Sequence, residues 1–215
     1  MSDAGARIAV VDYGVGNRRS VEKALARVGA DTVVTADPEE LRAADGLVLP
    51  GVGAFPAGMR MLVAAGLDEL LRERAAAAVP IFGACLGMQL LFEHSAEHGG
   101  CDGLGLLRGD VRPLRAPGMK LPHIGWSEVR WQAPSPLTAG LPDPSVFYHV
   151  HSYAPHPADE ADVIGVSEYG EPFASVVGHG LVFGAQFHPE KSSAHGIELL
   201  RGFVALTRNT TPSPT

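Results

Sequence analysis

The sequence predicts an α/β protein with three layers, in which helices flank a largely parallel central sheet and an antiparallel β region is added in the C-terminal half. Apolar runs at residues 7–12, 32–35, 47–49 and 79–82 alternate with helical stretches, which is typical of βαβ units and a parallel sheet covered on both faces. After about residue 104, strand-like runs separated by Gly, Pro and Asp follow one another without long helices. That second pattern indicates antiparallel pairing.

The individual elements have ordinary start and stop signals. Apolar residues recur at helical spacing over residues 20–28 and end at Gly29, while Asp37 and Pro38 are typical of an N-cap and a first helical position. We expect one domain over residues 1–206 and a flexible tail over residues 207–215, because the last residues are polar and include two prolines. Helices are predicted near 20–28, 37–44, 57–65, 67–78, 88–92 and 193–206, and later strands near 105–114, 121–131, 146–153, 163–168, 173–177 and 181–187.

Composition excludes several classes of function. The chain has 215 residues, of which 46% are hydrophobic and 19% charged, and this balance is typical of a globular protein. A net charge of −7 without any basic cluster argues against nucleic-acid binding. We expect a cytoplasmic protein with reduced thiols, because the sequence has no apolar run of 18 residues, no signal-peptide pattern and only two cysteines.

The most informative segment surrounds Cys85. The apolar run at 79–82 is followed by Gly83-Ala84-Cys85-Leu86-Gly87 and then by helix-forming residues. A nucleophile between two glycines on a strand-to-helix turn is the nucleophile-elbow pattern, here with a thiol. We expect a side chain at either glycine to clash with a neighbouring element, and the helix N-terminus to favour the thiolate. A buried cysteine at an ordinary strand–glycine–helix junction is the structural alternative.

A second segment supplies a base and a group to orient it. The apolar run at 181–187 ends at His188, and Glu190 follows two residues later. On an extended chain these two side chains project to the same side, so the carboxylate can fix the imidazole tautomer and leave the other nitrogen for Cys85. The three residues therefore predict a nucleophile–base–acid triad. A polar loop after a buried strand is the alternative for this segment considered alone.

A third segment predicts an oxyanion site. Attack of a thiolate on a carbonyl creates an oxyanion that needs N–H donors. The turn at Gly51, Val52 and Gly53 follows a buried strand and leaves amides free to rotate, and the amide of Leu86 comes directly after the nucleophile. A simple Pro-Gly turn is the alternative.

These motifs resemble the class I (triad) glutamine amidotransferases. Within that superfamily, the chain is similar over nearly its whole length to the glutaminase subunits of imidazole glycerol phosphate synthases. The resemblance is carried by Gly-Ala-Cys-Leu-Gly-Met-Gln at 83–89 and Phe-His-Pro-Glu at 187–190, and for the subfamily by Asp-Tyr-Gly-Val-Gly-Asn at 12–17, Leu-Pro-Gly-Val-Gly-Ala-Phe at 49–55, Pro-His-Ile-Gly-Trp at 122–126, Val-His-Ser-Tyr at 150–153 and His-Pro-Glu-Lys-Ser-Ser at 188–193.

The resemblance implies hydrolysis of glutamine to glutamate and ammonia, without a cofactor or a metal. Ammonia would pass to a separate (βα)8-barrel cyclase subunit that forms imidazole glycerol phosphate and an aminoimidazole carboxamide ribotide in histidine biosynthesis. It also implies residue roles. Cys85 would form a glutamyl thioester, His188 would act as general acid and base, and Glu190 would orient it. Gly51, Val52 and Gly53 resemble the oxyanion strand, Gln89, Ser152 and Tyr153 match positions that hold the substrate head, and Asn17, His123, Trp126, Tyr148 and Lys191 match positions facing the cyclase.

Two positions depart from the family pattern, and other functions remain open at this point. His149 stands where an aromatic residue is commoner, and Arg18 replaces a more usual apolar residue. The chain could instead be a glutaminase of anthranilate or pyridoxal phosphate synthesis, or a catalytically silent regulatory module on the same fold. An unrelated cysteine peptidase or esterase is disfavoured, because nothing in the sequence marks a peptide groove.

Three other sequence patterns do not predict a functional site. Gly14-Val-Gly-Asn17 lacks the third glycine of a dinucleotide-binding loop. The pairs His94/His98 and His149/His151 lack a third ligand at suitable spacing for a metal. Cys101 is interpreted as a loop residue.

Overall fold

The computed structural model describes residues 5–210. Its elements follow the predicted order, with strands and helices alternating first and strands dominating later. The strands are β1 (Arg7–Val11), β2 (Asp31–Thr35), β3 (Gly46–Leu49), β4 (Ile81–Ala84), β5 (Phe92–Ser95), β6 (Cys101–Asp102), β7 (Leu107–Pro113), β8 (His123–Trp131), β9 (Ser145–His151), β10 (Tyr153–Pro157), β11 (Val163–Tyr169), β12 (Glu171–His179) and β13 (Val182–Ala185), and the helices are α1 (Arg18–Arg27), α2 (Pro38–Arg42), α3 (Phe55–Ala64), α4 (Leu67–Ala76), α5 (Leu86–Leu90) and α6 (Ser193–Thr210).

The central sheet has nine strands in the order β2-β1-β3-β4-β13-β12-β11-β8-β9. The first five are mutually parallel, and β12, β11, β8 and β9 continue the same sheet by antiparallel pairing. β4 and β13 are neighbours although about a hundred residues separate them. This pairing brings their carboxyl ends, and the segments that follow each, to one edge of the sheet.

The two faces of the sheet are covered by different helices. Successive side chains of a strand point to opposite faces, and along β1 Ile8 and Val10 pack in one apolar cluster while Ala9 and Val11 pack in the other. The first cluster includes residues of α1 and α6, and the second includes residues of α2, α3, α4 and α5. The predicted three-layer α/β fold with an antiparallel C-terminal region is therefore confirmed.

A second, four-stranded sheet in the order β10-β7-β5-β6 was not predicted as a separate unit. Its residues Phe92, Leu107 and Val111 belong to the same apolar cluster as α3 and α5. β5 is short and begins at Phe92, the last residue of the helix predicted over 88–92. The helix ends at Leu90 instead, because Phe92 pairs in parallel with Leu107 of β7.

The C-terminal boundary predicted from sequence was also wrong. α6 continues to Thr210, so residues 207–210 are helical and do not form part of a flexible tail. Thr207 is fully buried, and a Cβ built on Gly46 of β3 would lie 2.5 Å from its Cγ2. The remainder of the predicted tail, 211–215, lies outside the described residues. Among residues 5–210, none of the helices combines the length and the apolar character needed to cross a membrane.

The turn between β4 and α5 is constrained by close backbone approach. A Cβ on Gly87 would lie 1.8 Å from the carbonyl oxygen of Leu49, at the end of β3, and a Cβ on Gly83 would lie 2.7 Å from the carbonyl of Gly87. These contacts are between backbones, so no side-chain rotation relieves them. Both glycines are therefore needed for β3, β4 and α5 to meet, as predicted.

We expect Gly87→Ala to lower the free energy of unfolding by at least about 3 kcal/mol, because neither α5 nor β3 can move without disturbing the core. The matched control is Gly180→Ala in the turn between β12 and β13, where φ is +57° and no atom lies within 4 Å of the added Cβ. That substitution costs only the left-handed backbone penalty, about 1 kcal/mol. Urea unfolding measures both, and equal losses would contradict the clash.

Candidate active site

Cys85 occupies the turn between β4 and α5 in a strained backbone conformation. Its φ is +53° and its ψ is −112°, a region that residues with a Cβ rarely adopt. The conformation is held by the Cys85 N–H, which donates to the carbonyl of Ala185 on β13 at 2.8 Å. The thiol is almost completely buried. The strain is typical of a nucleophile elbow, in which the turn projects the side chain toward a ligand.

His188 and Glu190 form a buried pair beyond the end of β13. Nδ1 of His188 lies 3.0 Å from Oε1 of Glu190, and both side chains are less than a tenth exposed. Since a carboxylate only accepts, Nδ1 carries the proton and Nε2 is left for the Cys85 thiol. Burial lowers the pKa of His188, but its interactions with Cys85 and Glu190 outweigh burial and raise that pKa to about 9.

The backbone around His188 is tied to β9. The N–H of His188 donates to the carbonyl of Tyr148 at 3.0 Å, and the hydroxyl of Ser192 donates to the carbonyl of His188 at 2.6 Å. The N–H of Tyr148 in turn donates to the Ser192 hydroxyl at 3.0 Å. The backbone of His188 is therefore held by a closed set of hydrogen bonds, and the contact with Glu190 orients its imidazole.

The thiol has two further polar neighbours. Sγ of Cys85 lies 3.7 Å from the carbonyl oxygen of Val150 and 3.9 Å from Nε2 of Gln186. Gln186 is fully buried and also accepts a hydrogen bond from Nε2 of Gln89 at 3.0 Å. Gln186 was not predicted as a site residue. Its signal in the sequence was a polar side chain within an otherwise apolar run.

Cys85 and His188 line a common cavity of about 290 Å³, a size suited to a small ligand such as an amino acid. Seven further residues predicted for the site also line it, and four that were not predicted do so as well. The predicted residues are Val52, Gly53, Leu86, Gln89, Ser152, Tyr153 and Lys191, and the others are Glu97, Pro122, Val150 and His151.

Gly51 lies behind the cavity wall and not in it. A Cβ on Gly51 would lie 2.5 Å from the hydroxyl oxygen of Tyr13 and 2.9 Å from the backbone nitrogen of Gly87. The Tyr13 hydroxyl donates to the carbonyl of Pro50 at 2.7 Å, and burial, with the charge of Cys85, raises the pKa of Tyr13. The phenol thus stays protonated and holds the start of the predicted oxyanion strand.

Glu97 is the one carboxylate that lines the cavity among the described residues. Its Oε2 accepts the N–H of Phe55, at the start of α3, at 2.7 Å. The sequence offered no signal for this role, because Glu97 lies in a short connection with no regular spacing to Cys85. Only the packing of β5 and the following turn against α3 brings it to the site.

Three histidines form a buried cluster beside the cavity. His123, His149 and His151 are each no more than 5% exposed, and their rings contact one another. Burial lowers the pKa of all three, that of His151 to about 3. The prediction that His123 faces a partner is wrong for its side chain, which points inward, stacks on Tyr169 at 4.0 Å between ring centroids and is 2% exposed.

The other residues predicted to face a partner lie at or near the surface. Trp126 is 55% exposed and contacts the ring of Tyr148, while Asn17 and Lys191 are also exposed. Trp126 belongs to an exposed apolar patch, which we define as Met119, Leu121, Ile124 and Trp126. Pro122, between two members of this patch, lines the cavity. The patch and the cavity wall therefore share one stretch of chain, residues 119–126.

No group of three or more potential metal ligands is assembled within residues 5–210. His94 pairs with Asp102 at 3.0 Å, and Nδ1 of His149 and Nδ1 of His151 lie within hydrogen-bond distance of backbone carbonyls. Cys101 is partly exposed, and its Sγ donates to the adjacent carbonyl of Asp102.

Comparison with known proteins identifies the family. The model of the class I glutamine amidotransferases matches residues 9–206. The chain is 51% identical over 196 residues to the imidazole glycerol phosphate synthase subunit HisH of Bacillus cereus, covering 91% of this chain and 93% of the relative. It is 50% identical over 202 residues to the HisH subunit of Moorella thermoacetica, covering 94% and 96%.

Solved structures support the same fold. PurLQS from Thermotoga maritima matches with a TM-score of 0.74 at 20% identity over 94% of this chain and 99% of that one. A glutamine amidotransferase from Thermotoga maritima matches with a TM-score of 0.64 at 16% identity, covering 95% and 85%. At these identities the likeness shows the fold alone. The matches to the family model and to the HisH relatives are similarities of the amino-acid sequence itself. The chain belongs to the class I glutamine amidotransferases and, within them, to the family of HisH subunits of imidazole glycerol phosphate synthase.

Proposed function

We propose that this chain is the glutaminase subunit of an imidazole glycerol phosphate synthase and hydrolyses L-glutamine to L-glutamate and ammonia for histidine biosynthesis. The observation that carries the proposal is the assembly of Cys85, His188 and Glu190 beside a cavity of amino-acid size. The identity of about half over nearly the full length of HisH relatives supports the choice of pathway.

The chemistry proceeds through a glutamyl thioester. His188 carries the proton as an imidazolium beside Cys85, the Cys85 thiolate attacks the side-chain amide carbon of glutamine, and the carbonyl electrons move onto oxygen. When the carbonyl re-forms, the C–N bond breaks and the leaving nitrogen takes the proton from His188 and departs as ammonia. Water then attacks the thioester while His188 accepts its proton, and cleavage of the C–S bond releases glutamate. Glu190 holds the tautomer and stabilises the imidazolium throughout.

The oxyanion is stabilised by backbone amides on two sides. Leu86 lies in the first turn of α5, where N–H groups have no intrahelical acceptor. On the other side, Val52 and Gly53 line the cavity, and no atom lies within 4 Å of a Cβ placed on Gly53. That open space lets the Val52–Gly53 peptide rotate an N–H toward the oxyanion, while Gly51 and Tyr13 hold the start of the strand.

The remaining wall binds the amino-acid head of the substrate. Gln89, Ser152 and Tyr153 supply polar groups there, and the Glu97 carboxylate is suited to the α-ammonium.

The partner is a (βα)8-barrel cyclase subunit that receives ammonia directly. An exposed apolar patch is typical of a protein interface. The patch at Met119, Leu121, Ile124 and Trp126 lies on the stretch of chain whose Pro122 lines the cavity. Asn17 just before α1, Tyr148 on β9 and Lys191 in the turn after His188 extend this surface, and that turn packs against both α1 and β9. A barrel docked here covers the route by which ammonia leaves.

Cys85→Ala is expected to reduce glutamine hydrolysis by the assembled complex by at least about a thousandfold, because the thioester cannot form. Steady-state glutamate release measures this loss. Cys101→Ala is the matched control and should retain activity. Added ammonium salt should still support the cyclase reaction of the Cys85→Ala complex, which shows that assembly is intact. Residual glutaminase activity of that variant near the unsubstituted rate would refute the proposal.

The pH profile of kcat/KM tests the pair formed by His188 and Glu190. With a pKa of about 9, His188 is protonated below that pH and loses its proton above it, so kcat/KM should fall on the alkaline side near pH 9. Glu190→Gln removes an interaction that raises this pKa, so the alkaline limb should move to lower pH. Glu198→Gln on α6, where the carboxylate is partly exposed and pairs with Arg201, is the control. An unmoved limb in Glu190→Gln would contradict the assigned role.

Trp126→Ala is expected to weaken binding of the cyclase subunit by about 10- to 100-fold, because exposed tryptophans at interfaces are frequent hot spots. Stability of the isolated chain should change little, since the side chain is 55% exposed. Val63→Ala, a similarly exposed apolar residue on α3, is the matched control. Calorimetric titration with the cyclase measures both, and equal affinities for the two variants would exclude the patch as the interface.

A further inference from the structure

The buried histidine cluster is joined to the substrate cavity through paired strands. His123 and His151 are directly opposite each other on the antiparallel strands β8 and β9, with ring centroids 5.1 Å apart. His149 stacks on His123 at 5.2 Å, and Phe173 packs edge-on against all three rings. Of the three histidines, only His151 also lines the cavity.

The hydrogen bonds of this cluster have one consistent direction. Nδ1 of His151 lies 2.9 Å from the carbonyl oxygen of Tyr153, which only accepts, so Nδ1 carries the proton. Because burial keeps the ring neutral, Nε2 of His151 accepts, and Nδ1 of His123 at 3.2 Å must donate to it. Nε2 of His123 then accepts from the hydroxyl of Ser127 at 2.9 Å.

This chain of hydrogen bonds ends at the Tyr153 carbonyl, which also orients Gln89. Nε2 of Gln89 donates to the same Tyr153 carbonyl at 3.0 Å and to Oε1 of Gln186 at 3.0 Å. Both N–H bonds of the Gln89 amide are therefore used, and only its oxygen remains for a ligand. An oxygen in that position accepts from a donor such as an α-ammonium group.

We propose that His151, with its tautomer set by His123, is a positioning residue that fixes the Tyr153 carbonyl and, through it, the orientation of Gln89 toward the substrate head. His151 acts through these groups and does not take part in the chemical step at Cys85. The inference rests on the proposed function only in taking glutamine as the ligand.

Substitutions that move the donor test this role. In His151→Asn the side-chain N–H stands near the position of Nδ1 and keeps the bond to Tyr153, whereas in His151→Gln the amide reaches the position of Nε2 and the bond is lost. For the complex with the cyclase, we expect His151→Gln to raise the KM for glutamine by about 10-fold or more, within the range for a lost buried hydrogen bond, with kcat changed less than about threefold. His151→Asn should keep KM within about threefold of the unsubstituted complex.

A matched control separates positioning from packing. His149 is equally buried in the same cluster, but its Nδ1 donates to the carbonyl of Phe147 and its Nε2 accepts from Ser175, both outside the cavity. His149→Gln should therefore reduce thermal stability to a similar extent as His151→Gln without changing the KM for glutamine. An equal rise in KM in both variants would overturn the proposal.

Alkylation of Cys85 gives a second measurement that does not depend on turnover. A chloromethyl ketone analogue of glutamine needs the head-binding wall, whereas iodoacetamide needs only a reactive thiol. His151→Gln should slow the first reagent selectively, and His151→Asn should restore it. Equal slowing of both reagents, or of neither, would refute the positioning role. Failure of the unsubstituted complex to hydrolyse glutamine would instead refute the proposed function, so the two failures are distinguishable.

Discussion

The structure depends on the contact between two backbones at the start of α5. Gly87 lies so close to the carbonyl of Leu49 that no other residue fits, and a Cβ on Gly51 would lie 2.9 Å from the backbone nitrogen of Gly87. This approach fixes Gly51, at the start of the predicted oxyanion strand, against the nucleophile turn. The strained conformation of Cys85 is maintained because the core on both sides of the sheet is already packed around it. The position of the thiol relative to N–H donors therefore follows from packing at two glycines.

Four buried histidines near the site have two kinds of electrostatic environment. The pKa of His188 is raised because Glu190 and Cys85 favour the imidazolium, whereas burial without a carboxylate partner lowers the pKa of His123, His149 and His151. Positive charge is thereby confined to the histidine beside the nucleophile. The neutral rings serve as directional hydrogen-bond groups instead, and His151 connects them to the Tyr153 carbonyl, in the wall proposed to bind the substrate head.

Sequence reasoning succeeded where a local pattern implies a spatial relation. The glycines around Cys85 predicted a tight turn, and the spacing of His188 and Glu190 predicted a shared side, because both relations lie within a few residues. Reasoning failed for Glu97 and Gln186, whose positions depend on distant elements packing together. It also misjudged His123, since alternation along β8 could not tell which face of this strand the rest of the chain would cover.

The sequence by itself determined the alternation of strands and helices, the elbow at Cys85 and the family membership, because apolar periodicity and short motifs are properties of contiguous residues. The tertiary structure decided which segments meet. Pairing of β4 with β13 brings His188 to Cys85 across about a hundred residues, and pairing of β8 with β9 buries His123 against His151. Such pairings are selected by the free energy of packing the whole core. They cannot be predicted from any single segment, because each segment contributes only a small part of that free energy.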